Sequence, residues 1–170
     1  PAQPGENRAD LASRGIAEQR IAVNDSRFDD WVKALDPDMV MFDRFMMEEQ
    51  FGWRVAEQCP HALRLLDSID LHSLRDTRQQ LFKSSLENNR DHAGYVLPDE
   101  LMSPEELYKQ MASQDITQRE LAAFYRCDLT ILLSGFEMDL LTGPFKMPEY
   151  LLCYCPFMLD IPDHKSWPAF

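Results

Sequence analysis

Residues 36–60 read "DPDMVMFDRFMMEEQFGWRVAEQCP", and how this stretch folds decides the fold class. Asp36 followed by Pro37 has the form of a helix start. An aspartate oxygen accepts from the first free amides of a helix, and proline lacks the amide that would go unbonded there. Pro60 supplies a stop. Between them Met39, Phe42, Met46 and Trp53 recur at helical spacing, with Phe45 beside their stripe. The stretch is read as one long helix, apolar on more than one face.

The flanks carry similar signals. In 24–35 Ser26 precedes Asp29, Trp31, Val32 and Leu35 as an N-cap precedes an apolar stripe. In 72–89 Ser73 and Asp76 have capping-box spacing ahead of Leu74, Leu81, Phe82 and Leu86. In 103–111 Ser103, Pro104 and Glu106 make a strong start, and in 117–135 Thr117 and Glu120 cap a helix that Gly135 ends. Beyond it, prolines at 144, 148, 156, 162 and 168 forbid long regular elements. Neither the strict alternation of several strands nor an Asn-Gly or Asp-Gly hairpin turn occurs. The predicted architecture is mainly α: a single helical-bundle-like domain over 24–170 with an irregular Pro-rich C-terminal segment. Residues 1–23 are read as a flexible or loosely helical arm.

A chain of 170 residues with 45% hydrophobic content suits one domain with a real core. It holds 17 basic against 29 acidic residues, a net charge of −12. Such a balance disfavours nucleic acid and anionic membranes and suits a basic partner surface. The densest basic stretch, "RDTRQQLFK" at 75–83, reads as a solvated helix face. No apolar run approaches the ~20 residues needed to cross a bilayer. The first fifteen residues lack the basic and apolar regions of an export signal. Four cysteines are too few for a disulfide framework. The expected setting is therefore the cytoplasm, with free thiols.

Residues 116–135, "ITQRELAAFYRCDLTILLSG", resemble the wording of phage-repressor-type helix-turn-helix modules at Thr117, Gln118, Glu120, Leu121, Ala122, Ser134 and Gly135. The resemblance implies a DNA-reading helix pair. However, Arg126 stands where that family places glycine in its turn, the span is short for two helices, and the second half lacks the polar side chains that read bases. One continuous core helix is the preferred reading.

Four site chemistries stand against this background. A di-metal carboxylate site would need Glu-x-x-His pairs, and none occurs. Nucleophile, phosphate-loop and dinucleotide motifs are missing too. The catalytic candidate is Asp128, a carboxylate sharing the apolar stripe of the predicted 117–133 helix. For a cofactor, Cys59-Pro60-His61 and Cys155-Pro156 resemble short haem-regulatory Cys-Pro motifs, and Cys153 with Cys155 offers a soft-metal chelate. Burial as small hydrophobes is the competing account of these thiols. For a partner, Met41, Phe45, Met47 and Phe51 form a Met/aromatic cluster of the kind adaptable interfaces enrich, with Trp167 as a further anchor.

The favoured function is a non-enzymatic protein-interaction module (an accessory subunit, regulator or effector) without a cofactor. It would bind another protein, one with a basic surface, through an acidic surface and this patch. Oligomeric state is open. The alternatives are a haem- or soft-metal-binding sensor using the Cys-Pro thiolates, and an enzyme with a buried Asp/His site.

Overall fold

The computed structural model describes residues 9–88 and 102–158. The fold is α/β, and the mainly α, all-helical expectation is corrected: a parallel four-stranded sheet runs through the molecule. In chain order the elements are α1 (Arg27–Leu35), β1 (Met39–Asp43), α2 (Phe45–Gln58), β2 (Leu63–Asp67), α3 (His72–Asn88), α4 (Pro104–Met111) and α5 (Asp115–Arg126). Then follow β3 (Leu129–Leu132), α6 (Gly135–Thr142) and β4 (Leu152–Tyr154). Short 3-10 turns occupy Ala12–Arg14 and Glu149–Leu151. Among the described residues no helix is long and apolar enough to cross a membrane.

The stretch 36–60 is a strand followed by a helix, and local backbone geometry shows why. Asp36 does not start a helix; it ends α1 in the left-handed region at φ 48°, its amide bonded to Val32 O. Pro37 then leads into an extended run, "MVMFD", which pairs with β2. Arg44 follows at φ 69° and ψ 157°, a second break, and only then does α2 begin. Pro60 stands just past the end of α2. Parallel strands read as continuous apolar runs rather than alternations, so "MVMFD", "LRLLD" and "LTIL" show no two-residue period against helical neighbours.

The same correction applies to 116–135. That span is α5, strand β3 and the start of α6, so it is neither one long helix nor a helix-turn-helix. Part of the supposedly irregular C-terminal segment is strand β4. The expected Ser103 capping box is present: the Ser103 hydroxyl accepts from the Glu106 amide and the Glu106 carboxylate accepts from the Ser103 amide. The expected boxes at Ser73 and Thr117 are not formed, because Ser73 bonds Glu120 and the Thr117 hydroxyl has no partner among the described residues.

Strand order follows chain order, β1-β2-β3-β4, all parallel. Each crossover therefore steps the same way across the sheet. Crossovers of one hand then place every connecting helix on the same side. Burial agrees. Phe42, Leu66, Thr130, Leu132 and Leu152 point into the helical layer and are buried. Beneath them Val55, Leu74, Leu107, Met111, Phe124 and Leu140 build the core.

Ion pairs tie α2 to α5. The Glu48 carboxylate, buried in α2, accepts from Arg126 Nε at 2.9 Å and Nη2 at 2.5 Å. Arg119 bonds Glu49 at 3.0 and 2.7 Å. Gly52 lies one turn after Glu48, and a Cβ there would overlap the Glu48 side chain. The missing side chain is what lets that carboxylate lie along the helix toward Arg126.

Candidate functional site

On the other side of the sheet no described element packs over the strands. Met39, Met41 and Asp43 of β1 stand in register with Leu63, Leu65 and Asp67 of β2. Leu129 and Ile131 of β3 and Cys153 of β4 continue those rows. None of these side chains is buried, and Met39, Met41 and Leu63 are each about half exposed. The result is a broad apolar surface with carboxylates only at one end, Asp43 and Asp67. Parallel sheets are ordinarily covered on both faces, and large exposed apolar patches mark interaction sites.

This surface runs into a groove beside β1, an edge strand. The groove has a volume of about 400 Å³. Trp31 and Leu35 of α1 form one wall, Met39 and Met41 of β1 the other, and Met47 and Phe51 of α2 close it. Phe28 anchors α1 to this wall, its ring 4.8 Å from Phe51 and 5.8 Å from Trp31. The Arg54 guanidinium stacks 4.7 Å over Phe28 while bonding Asp29 at 2.6 Å and Asp25 O at 2.7 Å. The wall is therefore fixed by packing.

The edge is chemically open as well. Leu63 N bonds Asp38 O and Arg44 N bonds Asp67 O, both at 2.9 Å. In a parallel ladder alternate residues turn both backbone groups to the same neighbour. Even-numbered residues of β1 thus face β2, while the amides and carbonyls of Met39, Met41 and Asp43 face away from the sheet. Among the described residues β1 pairs with β2 alone.

The predicted residues fall as follows. Met41, Met47 and Phe51 all line the groove. Phe45 does not; it is buried in the core, edge-on to His72 at 5.6 Å. Trp167 lies outside the described residues. Asp128 is not on a helical stripe. It sits between α5 and β3, its amide bonding Arg64 O and its carboxylate accepting from Arg64 N, both at 2.8 Å. That is a clamp joining the start of β3 to β2.

Cys59 is buried at the end of α2, its thiol 3.4 Å from Val32 O. His61 is exposed and lies 3.4 Å from Asp36. Cys153 is on the open face, and Cys155 follows β4 with its amide on Leu132 O. Cys59 packs against α1, beside the β1 edge, and Cys155 belongs to the β4 edge, so the two Cys-Pro sites occupy opposite sides of the sheet. No grouping of His, Cys, Asp and Glu suited to a metal occurs among the described residues. The remaining thiol, Cys127, is buried, and desolvation pushes its pKa up to about 12.

A buried acid cluster escaped the sequence reading. Glu120 of α5 accepts from His72 N at 2.9 Å, Ser73 N at 3.0 Å and Ser73 Oγ at 2.5 Å. Glu137 of α6 accepts from Leu71 N at 3.0 Å. Two carboxylates from elsewhere in the chain thus cap the free amides that begin α3, where the helix dipole favours negative charge. Burial still raises the pKa of both, despite these bonds. His72 Nδ1 lies 3.6 Å from Glu120 Oε1 and 3.8 Å from Asp70 Oδ1. The oxygens of Glu120 are engaged by α3, which makes the cluster a capping device. The signal in sequence was Glu120 itself, a carboxylate inside an apolar helix, but its partner is 47 residues away. No protein-family model, curated protein or solved structure matches the chain.

Proposed function

We propose that this chain is a non-enzymatic protein-interaction module of the cytoplasm that docks a partner protein on the open sheet face and its adjoining groove. The observation that carries the reading is the apolar side of a parallel sheet that no described element covers, continuous with a groove that contains Met41, Met47 and Phe51. Methionines repack against different partners, and aromatics supply area at low entropic loss. With a net charge of −12 the module favours a basic partner and repels nucleic acid and anionic lipid.

The sensor reading draws no support from thiols at opposite edges of the sheet. The enzyme reading loses its residue, because Asp128 is engaged by Arg64. The docking reading is tested by placing a photo-reactive side chain at position 41 or 63, and at 125 in α5 as an exposed control, in cells that make the protein. Both open-face positions should give an adduct of the same mass, absent from 125. No adduct from 41 and 63, or the same adduct from all three, would overturn it.

A further inference from the structure

The groove differs from an ordinary apolar patch in having backbone along one wall. Met39, Met41 and Asp43 turn amides and carbonyls toward it without hydrogen bonds from any described residue. Unpaired strand edges are templates for another strand, and native proteins usually blunt them with lysine, proline or a bulge. Here the outward-facing positions are two methionines and one aspartate. Charge around the groove has one dominant sign. Asp30, Asp36, Asp38 and Asp43 are exposed on or beside α1 and β1, whereas of the exposed cations there Arg44 is engaged by Asp43 at 3.0 Å and Arg27 by Asp25 at 2.6 Å, and Lys33 is the third.

We propose that the free edge of β1 takes an extended segment of a partner protein as a fifth strand. Its apolar side chains would fill the groove between Trp31 and Met47, and its flanking residues would be Lys or Arg. Main-chain bonds to Met39, Met41 and Asp43 supply affinity, and the groove with its acidic rim supplies selectivity. A second copy of this chain is opposed by a charge of −12 on each molecule. The chain's own residues 159–170 suit the role poorly, since Pro162 and Pro168 lack amides and no alternating apolar run lies between them. The inference rests on the docking reading above.

The probe is a fluorescent peptide, KVTVIVK, titrated into the full chain by anisotropy. Two derivatives carry N-methyl groups on the amides of one edge or of the other. The parent should saturate, and one edge-methylated peptide should bind at least about tenfold more weakly while the other matches the parent. Replacing both lysines by glutamates should weaken binding by a similar factor. The double variant Met41→Ala/Met47→Ala should lose the parent peptide while keeping its circular dichroism and unfolding midpoint. No binding of the parent at about 1 mM, or equal binding of both methylated peptides, overturns strand addition. In either case a persistent adduct from position 41 leaves the docking reading standing on its own. An increase in affinity of about tenfold on truncation after 158 would show that the chain's own tail fills the groove and would overturn a partner strand. A concentration-dependent dimer abolished by the double variant would overturn it in favour of a second copy.

Discussion

The two faces of the sheet are built from the same three-to-five-residue strands, yet they obey different rules. On the helical side Leu66 and Leu132 are fully buried, and the amides that begin α3 find their acceptors in Glu120 and Glu137. On the other side Leu63 is 51% exposed. The residues there are nearly as apolar, so composition does not distinguish the faces. Topology does: in-order parallel strands leave one side without any of the described helices. The open side carries hydrophobic surface that no described element of the chain covers.

Neighbouring leucines on β2 give the largest contrast. Leu66→Ala should lower stability by about 2–5 kcal/mol through lost burial and a cavity. Leu63→Ala should change it by less than about 1 kcal/mol. Urea unfolding of the two variants checks this, and equal losses would mean that both faces are packed. Next is the polar interior of the covered side. Glu120→Ala strands the His72 and Ser73 amides and the Ser73 hydroxyl, and should cost about 2–3 kcal/mol. Glu120→Gln keeps an acceptor and should cost less.

The pH dependence has a definite sign. The folded-state pKa values of Glu120 and Glu137 are raised above the ordinary 4.5, mainly by burial. The folded state therefore holds protons the unfolded state has released. Stability from this source is greatest below 4.5 and falls as pH rises through the raised values. Glu120→Gln should flatten that fall in unfolding midpoints measured against pH. Asp25 acts oppositely. Its bonds to the Arg27 side chain and amide hold its pKa at about 2, so its contribution is present above 3.8 and is lost as pH drops toward 2. Asp25→Asn should remove only that acid limb.

Gly52→Ala sharpens the comparison further. A methyl group there displaces Glu48 from Arg126 and should cost about 1–2 kcal/mol in thermal unfolding. Smallest is Met41→Ala, a half-exposed change worth less than about 0.5 kcal/mol of stability. Its effect should appear in the yield of the photo-adduct instead.

Legibility in the sequence followed the range of the interactions. The box of Ser103 and Glu106 is local, and it formed as read. The same pattern at Thr117 and Glu120 misled, because the carboxylate of Glu120 is used by α3 instead. Met39 and Phe42 matched a helical stripe, but pairing with β2 and the left-handed residues Asp36 and Arg44 override that spacing. Strands this short carry too few residues for periodicity to separate them from helices. Of the candidate interface residues, Met41, Met47 and Phe51 lie together, while Phe45 turns into the core. One turn of helix decides that difference, and it depends on where α2 begins. Cys59 and Cys155 shared a dipeptide, but which edge of the sheet each joins is set by strand order.

Residue-resolved amide exchange on the isolated full chain tests the central claim most directly. The amides of Val40 and Phe42, bonded to β2, should be protected by orders of magnitude over those of Met39, Met41 and Asp43, which face the open edge. Equal, strong protection of all five in the isolated chain would mean that the edge is already covered, and would contradict the account.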